Sequence, residues 1–263
     1  MIHALSGSPT LKKFPQARGR TQSEQCPDSV VLLGRHAPPI PARVADLIQE
    51  PRLQLGGFPS RRWVVTPHIE ASHRQQVEHG PEPELRDSAS SELKTLIGPL
   101  LHRRYGHRQG MDIAELGPAT STTVAATLSH ATHRYLAVDL SEPYLEKQQE
   151  FLAQDTATQC YAVKGDSYAL PIQDGKADLI VTSCHPPFVS ASTQDKAIAL
   201  DEVWRTLKED GEFVLFPYDP QGRGADMAPL LEARFEIVDQ SQQRPDRVAV
   251  VLKKRPLIYG ASG

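Results

Sequence analysis

Three segments between residues 111 and 178 end in side chains that could bind a polar ligand. They are residues 111–117, 135–141 and 162–167, with the sequences MDIAELG, YLAVDLS and AVKGDS. Each is a short apolar run that ends in a carboxylate or a glycine turn, and stretches of helical pattern separate them. Open parallel sheets present such groups at the carboxyl ends of their strands, where they bind ligands. The spacing suits a ligand that carries a nucleoside.

The first turn, residues 115–121, has features of a strand-to-helix turn that approaches a ligand. Gly117 is a small residue where the backbone must come close to such a ligand. Ala119 and Ser121 stand where further glycines are expected, so the clearance is reduced. The same residues also fit an ordinary turn between a strand and a helix.

Two aspartates strengthen the ligand-binding interpretation. Asp139 lies 22 residues after Gly117, the placement of a carboxylate that accepts hydrogen bonds from ribose hydroxyls. Asp166 ends the third segment and could accept a hydrogen bond from an adenine amino group. Each has a simpler interpretation, since Asp139 could serve only the helix that follows it and Asp166 could be a solvated turn residue. The order of the three features favours a common binding site.

Alternating strands and helices are predicted to position these residues. The predicted strands are 111–116, 135–140, 159–164, 177–182, 212–217, 235–238 and 247–253. The predicted helices are 88–105, 122–128, 144–153, 193–207 and 225–233, and Pro99 predicts a kink or two shorter helices in the first of them. This pattern predicts an α/β fold with a doubly wound, mostly parallel seven-stranded sheet. A C-terminal antiparallel hairpin and an irregular N-terminal extension complete it.

Composition argues against several other classes of protein. The chain has 263 residues and a formal charge of −3, without the basic footprint of a general nucleic-acid binder. Its three cysteines, Cys26, Cys160 and Cys184, form neither a disulfide framework nor a metal-ligand pattern. No apolar run is long enough to span a bilayer. We therefore expect a cytoplasmic protein with reduced thiols, no metal site and no membrane partner.

Residues 112–217 resemble the class I S-adenosylmethionine-dependent methyltransferases. The matching stretches are ELGPATS at 115–121, VDLSEPYLE at 138–146, GDSYALPIQDGKADLIVTS at 165–183 and EVWRTLKEDGEFVL at 202–215. Their joint order, rather than any single motif, is typical of the family. The resemblance implies S-adenosylmethionine as cofactor and in-line methyl transfer to a small-molecule acceptor.

The resemblance also implies roles for the first two motifs. Glu115 would lie near the methionine amino group of the cofactor, and Gly117 and Ala119 would line its aminoacyl end. Asp139 would bind the ribose, and Leu140 would pack against the adenine.

Further roles follow for the third strand and for the loop after the fourth. Asp166 and Ser167 would address the adenine edge, and Ser183 with Cys184 would face the methionine moiety and the substrate entrance. His185 is the candidate general base, which is needed only if the acceptor is protonated at the working pH. Alternatively, His185 is a loop residue that shapes the pocket.

The chain is expected to have three parts. Residues 1–28 would be a disordered tail, 29–109 an N-terminal extension that covers the substrate, and 110–256 a methyltransferase-like Rossmann domain. The basic, acid-poor start could also be an organelle transit peptide, although glycines and prolines interrupt any amphipathic helix there.

Two other functions remain open at the level of sequence. The glycine-poor turn favours a non-catalytic, methyltransferase-like binding or assembly module. A nicotinamide-binding dehydrogenase would require a richer glycine fingerprint than residues 117–121 provide.

Overall fold

The computed structural model describes residues 46–48, 93–119, 121–128, 133–139, 144, 145, 148, 159–220, 222, 224–244 and 247–256. The predicted tail, residues 1–28, and the predicted adenine contact Leu140 lie outside these residues. Within them, no helix is long and apolar enough to cross a membrane.

The described residues form a sheet of seven strands. They are β1 (Asp112–Leu116), β2 (Arg134–Asp139), β3 (Gln159–Lys164), β4 (Ala177–Ser183), β5 (Leu207–Tyr218), β6 (Phe235–Arg244) and β7 (Arg247–Lys254). Their order is β3-β2-β1-β4-β5-β7-β6. Strands β1 to β5 are parallel, whereas β7 is antiparallel to both β5 and β6. The predicted fold class, a doubly wound sheet with a C-terminal antiparallel hairpin, is confirmed.

Helices connect the strands and cover the sheet. They are α1 (Gly98–Tyr105), α2 (Thr123–Leu128), α3 (Pro186–Val189), α4 (Thr193–Thr206) and α5 (Met227–Glu232), and a π-helical turn at Leu93–Ile97 precedes α1. Pro99 lies in the first turn of α1, where its missing N–H breaks no hydrogen bond. The interruption predicted from Pro99 therefore falls between the π-helical turn and α1.

Apolar clusters cover both faces of the sheet. On one face, α4 and the loop after β3 pack Leu200, Val203 and Leu170 against the strands. On the other face, α1 and α2 contribute Leu100 and Val124 to a second cluster. Burial on both faces explains why the parallel strands are nearly continuous runs of apolar residues.

Helix α1 is tied to the sheet by polar contacts as well as by packing. The hydroxyl of Tyr105 donates a hydrogen bond of 2.7 Å to Glu212 on β5, and Arg104 Nε donates one of 3.0 Å to the same carboxylate. This helix precedes residue 110, where the Rossmann domain was predicted to begin. The division of the chain at that residue stays a prediction.

A short N-terminal segment also contacts the sheet domain. Leu47 is buried in the core, and its carbonyl accepts a hydrogen bond of 2.9 Å from the Gln173 N–H. Ile48 forms an isolated antiparallel bridge with Ile172. Part of the predicted substrate cover thus packs beside the loop that follows β3.

Two predicted boundaries are wrong in detail. Strand β5 begins at Leu207, not at residue 212, because Leu207 pairs with Ala177 before the register shifts and Glu212 pairs with Leu179. Residues 208–211, between the predicted helix and the predicted strand, are therefore an irregularity within the strand. At this irregularity Lys208 forms an ion pair with Asp178, with 2.7 Å between Lys208 Nζ and Asp178 Oδ2. Strand β6 continues beyond residue 238 to Arg244, because β7 pairs with it over that length.

Candidate active site

The candidate site lies at the carboxyl ends of the parallel strands. These ends meet at one edge of the sheet, and the strand order reverses between β1 and β4. Open α/β sheets bind ligands in the crevice at such a switch point. The predicted site residues that the structure describes lie in the last residues of β1, β2 and β4 or in the turns after β1, β3 and β4.

The turn after β1 is bonded to the end of β2. Gly117 N–H donates a hydrogen bond of 2.8 Å to the Val138 carbonyl, and Ala119 N–H donates one of 3.2 Å to Asp139 Oδ2. Asp139 is buried, at 7% exposure. The Asp139 carboxylate therefore stabilises the turn after β1. The simpler interpretation, in which Asp139 serves only the helix that follows it, did not include this contact.

Two residues of this turn have left-handed backbone conformations. Gly117 has a φ of 62° and Ala119 a φ of 50°. Glycine adopts this region freely, whereas an L-residue with a Cβ pays about 1–2 kcal/mol there. The backbone thus identifies Ala119 as a position that favours glycine, in agreement with the expectation that a glycine usually stands there.

Glu115 is a buried carboxylate with one oxygen unsatisfied. The hydroxyl of Tyr135 donates a hydrogen bond to Oε2, whereas Oε1 has no hydrogen-bond partner in the described structure. Burial raises the pKa of Glu115 to about 8; the Tyr135 hydrogen bond opposes this shift, and the charge of Asp139 adds to it. An unsatisfied buried oxygen costs free energy, and a cationic donor would remove that cost.

A hydrogen bond between side chains joins the turns after β3 and β4. Ser167 Oγ lies 2.6 Å from His185 Nε2, and both residues are buried. The other ring nitrogen, Nδ1, lies against Gly117, so that a Cβ added to Gly117 would overlap the imidazole. Part of the clearance that Gly117 provides is thus filled by His185.

The backbone after β4 turns the imidazole towards β1. Cys184 has a φ of 52° and its N–H donates a hydrogen bond of 2.7 Å to the Phe216 carbonyl. The Cys184 side chain is exposed. Phe188, by contrast, is buried and packs on Phe213 with 5.6 Å between ring centroids. Phe188 therefore belongs to the core.

Asp166 and Ser183 lie at the same edge in less enclosed positions. Asp166 Oδ1 accepts a hydrogen bond of 2.9 Å from the Tyr168 N–H, and its carbonyl accepts one from Ala169 N–H at 2.9 Å. Asp166 thus stabilises its own turn, as the simpler interpretation expected, and it is half-buried. Ser183 is the last residue of β4, is half-buried, and pairs with Phe216.

Sequence reasoning missed two residues that brace the site. Tyr135 on β2 donates to Glu115, and the amide of Gln148 donates a hydrogen bond of 3.1 Å to the Ala119 carbonyl. Gln148 also bonds the Ser121 carbonyl and is buried. Its signal in the sequence is a polar residue three positions after Leu145, on the apolar side of the predicted helix 144–153.

The sequence from residue 113 to 211 matches a family described as "Methyltransferase domain". The match runs from β1 to the start of β5 and supports a class I methyltransferase over that part of the chain. No curated protein matches the sequence significantly. Among the described residues, no group of three or more His, Cys, Asp or Glu side chains could hold a metal ion.

Solved structures of similar fold include several methyltransferases. One is the Burkholderia thailandensis 1,6-didemethyltoxoflavin-N1-methyltransferase with bound 1,6-didemethyltoxoflavin and S-adenosylhomocysteine. It is 17% identical, with 73% of this chain and 92% of that chain covered and a TM-score of 0.56. Another is an S-adenosylmethionine-dependent methyltransferase from Aquifex aeolicus, at 14% identity, 69% and 98% coverage and a TM-score of 0.52. At these identities the likeness is one of fold.

Six of the predicted site residues form two groups. Glu115, Gly117, Ala119 and Asp139 come together at the ends of β1 and β2. Ser167 and His185 form the second group. It contacts the first group where the His185 imidazole lies against Gly117. The arrangement offers carboxylates that can hold cationic and hydroxyl donors, next to an imidazole that can exchange a proton.

Proposed function

We propose that this domain transfers a methyl group from S-adenosylmethionine to a small-molecule acceptor. The observation that carries the proposal is Glu115 Oε1, a buried and unsatisfied acceptor at the end of β1 beside Asp139. The ammonium of the cofactor is a cationic hydrogen-bond donor of the kind that such an oxygen requires. A charged pair with a good donor would offset the cost of burying the carboxylate.

The aminoacyl end and the ribose of the cofactor would bind at β1 and β2. Glu115 would accept a hydrogen bond from the ammonium, and Gly117 and Ala119 would let their backbone approach the methionine part. Asp139, whose carboxylate also accepts from the Ala119 N–H, would accept hydrogen bonds from the ribose hydroxyls.

The adenine and the methyl group would lie towards β3 and β4. Leu140 would pack on the adenine face, and Asp166 and Ser167 would address its edge. Ser183 would line the methionine moiety. When bound, the cofactor supplies a methyl group on a sulfonium, which is already activated for in-line displacement. The protein then has to align the acceptor and exclude water.

His185 is the proposed general base for an acceptor that carries a proton. The proton would reach His185 Nε2 through the Ser167 hydroxyl, which lies 2.6 Å away and can accept and donate at once. His185→Gln should therefore lower kcat while leaving the Kd for S-adenosylmethionine within about twofold, because only the proton transfer is lost.

The fold relationship supports the class of acceptor. The Burkholderia enzyme holds S-adenosylhomocysteine together with 1,6-didemethyltoxoflavin. We infer an acceptor of similar scale for this domain, beside the loop after β4.

A second candidate function rests on a different observation. The imidazole of His185 fills clearance at Gly117, and Ala119 holds a backbone conformation that is costly for alanine. Both features reduce the room for a cofactor at the β1 turn. They favour a non-catalytic methyltransferase-like module, in which the crevice is closed by the protein itself.

Calorimetric titration of the full chain distinguishes the two functions. We expect S-adenosylmethionine and S-adenosylhomocysteine to bind with micromolar Kd, and Asp139→Asn to weaken both by at least about tenfold. Asp210→Asn, at a strongly exposed carboxylate, is the control that should change neither. Absence of binding by either ligand at millimolar concentration would reject methyl transfer and leave the non-catalytic module.

The role of Glu115 has a sharper test. 5′-Methylthioadenosine keeps the adenosine part of the cofactor but lacks its aminoacyl end. Glu115→Gln should therefore weaken S-adenosylhomocysteine at least about tenfold, the usual scale for a lost charge-assisted hydrogen bond. It should leave 5′-methylthioadenosine unchanged, and equal weakening of both ligands would place Glu115 away from the ammonium.

A further inference from the structure

A buried lysine joins two helices at the edge of the sheet that carries the candidate site. Lys196 lies near the start of α4, and its side chain is only 4% exposed. Its ammonium donates hydrogen bonds of 2.7 Å and 3.0 Å to the two carboxylate oxygens of Asp226, the residue before α5. Lysine is almost never fully buried unless its charge is paired. The Asp226 carboxylate therefore offsets the cost of burying this ammonium.

A threonine hydroxyl adds to the same contact. Thr193 is the first residue of α4, and its Oγ1 donates a hydrogen bond of 2.9 Å to Asp226 Oδ2. Asp226 thus accepts from two residues of α4, although its own side chain is 33% exposed. The ion pair is asymmetric, because Lys196 is removed from water whereas Asp226 is still partly hydrated.

The pair lies at the carboxyl edge of the sheet. Helix α4 follows β4 and helix α5 follows β5, so both helices begin at the edge where these parallel strands end. The two connecting segments also start side by side, because Cys184 N–H donates a hydrogen bond of 2.7 Å to the Phe216 carbonyl of β5. Lys196 and Asp226 join the same two segments where they enter the helices.

The β5–α5 loop has contacts of its own that leave its position relative to α4 to Asp226. Gly222 N–H donates a hydrogen bond of 2.8 Å to Asp219 Oδ1, and Gly224 N–H donates one of 3.1 Å to the Asp219 carbonyl. These bonds lie within the loop and shape its turn. The loop then ends at Asp226, which carries its contacts to Lys196 and Thr193.

We propose that Lys196 and Asp226 form a latch that holds the β5–α5 loop against the start of α4, so that this side of the crevice is formed before a ligand binds. Both are positioning residues, which act on the crevice through the loop. A preformed wall removes the cost of ordering a loop when a ligand binds. The proposal rests on methyl transfer only for the identity of the ligand, and the latch is tested in the ligand-free full chain.

Lys196→Met removes the ammonium and keeps an unbranched apolar side chain in the buried space. Amide hydrogen exchange in peptides that span residues 219–226 should then become at least about tenfold faster, because the loop opens locally without the latch. Peptides from β4 and β5 should exchange at the wild-type rate. The urea midpoint should change little, since the carboxylate that loses its partner is still partly hydrated.

Asp226→Asn should have a larger effect on stability than Lys196→Met. It leaves the ammonium of Lys196 buried without a counter-charge, which is the costly way to break a buried ion pair. The urea midpoint should therefore fall further, and adding Lys196→Met to Asp226→Asn should restore most of the loss. This order follows from the unequal exposure of the two partners.

The control is a second ion pair between the same two structural units. Asp201 of α4 pairs with Arg234, which follows α5, with 2.7 Å between Oδ1 and Nε. This pair lies towards the opposite ends of the two helices from Lys196 and Asp226. Asp201→Asn should therefore leave the exchange of residues 219–226 at the wild-type rate.

The outcomes separate the latch from the methyl transfer on which its purpose rests. Wild-type exchange of residues 219–226 in Lys196→Met overturns the latch, and so does an equal increase throughout the chain, which reports a general loss of stability. If Asp226→Asn does not fold, Lys196→Met decides. Titration of the wild type with S-adenosylhomocysteine tests the other proposal, because absence of binding rejects methyl transfer and leaves the exchange result as it stands.

Discussion

The imidazole of His185 lies directly against the α-carbon of Gly117. The contact connects the turn after β4 to the turn after β1 across the point where the strand order reverses. Its partner on the other side is Ser167, from the turn after β3. A single side chain therefore couples three of the turns that form the candidate site.

Gly117→Ala tests this contact. The left-handed φ should cost about 1–2 kcal/mol of unfolding free energy, and overlap with the imidazole should add about 1–3 kcal/mol. Urea unfolding measures the total. Gly110→Ala is the matched control, since Gly110 has a φ of 68° and open space around its missing Cβ.

A double-mutant cycle isolates the overlap. If His185 causes the additional cost, Gly117→Ala combined with His185→Ala should destabilise by about 1–3 kcal/mol less than the two changes separately. Additive costs would mean that the imidazole does not rest on Gly117.

Ala119→Gly should stabilise the protein or leave its stability unchanged. At a φ of 50°, glycine relieves about 1–2 kcal/mol of strain and costs about 0.5–1 kcal/mol of chain entropy. Ala126→Gly is the control, because Ala126 is an exposed position within α2 and should lose about 0.5–1 kcal/mol there. Thermal or urea unfolding of both variants measures the difference. Equal losses would show that Ala119 is not strained.

Glu115 should make stability depend on pH. Its carboxyl has a pKa of about 8 in the folded protein against 4.5 without the fold, so the folded state holds a proton that the unfolded chain releases. The contribution to stability is present below about pH 4.5 and is lost as the pH rises to about 8. At about 1.4 kcal/mol per pKa unit, the loss is on the order of 5 kcal/mol.

Glu115→Gln should remove this dependence. Relative to the wild type, the variant should gain unfolding free energy between pH 5 and pH 8.5, as measured by urea unfolding at each pH. Glu236→Gln, at an exposed site on β6, should show the same change in unfolding free energy between pH 5 and pH 8.5 as the wild type. A wild-type pH profile in Glu115→Gln would contradict the burial of a protonated carboxyl.

Glu212→Gln should loosen α1 from the sheet. The carboxylate accepts from Tyr105 and Arg104, and these contacts lower the pKa of Glu212 against the opposing effect of burial. Replacing it leaves the part-buried Arg104 guanidinium with only the Asp239 carboxylate, at 3.7 Å, as its counter-charge, at a cost of about 1–3 kcal/mol. The control is Glu209→Gln, an exposed residue of the same strand.

The same pair predicts an acid dependence. Because the folded pKa of Glu212 is lowered, its contribution is complete above the unfolded value near 4.5 and is lost as the pH falls through the folded value. The stability difference between wild type and Glu212→Gln should therefore shrink below about pH 4. A difference that stays constant in acid would mean that the ion pair is not formed.

Regular elements were predicted from local pattern because their signals are local. Strand β3 has the predicted bounds, and α4 begins at the predicted Thr193, since apolar alternation and a Ser192 cap are properties of neighbouring residues. The start of β5 was predicted five residues too late. Residues 208–211 have the composition of a turn, and only the pairing of Leu207 with Ala177 draws them into the strand.

The sequence predicted which residues belong to the candidate site better than it predicted the contacts between them. Carboxylates at strand ends are visible as Glu115, Asp139 and Asp166, because parallel strands bring their carboxyl ends to one edge. The brace supplied by Gln148 was missed, since its place on the apolar side of the predicted helix marks it as buried but does not name its partner. Its bond to the Ala119 carbonyl joins residues 29 positions apart.

The sequence by itself determined the order of strands and helices, the fold class and the set of polar residues at one edge of the sheet. These follow from periodicity and from motif order, which are encoded over short stretches of chain. The tertiary structure decided how those residues meet. Glu115 is buried with a raised pKa, and His185 lies between Gly117 and Ser167. Desolvation and contacts between distant residues arise only when the chain is packed, so no local pattern specifies them.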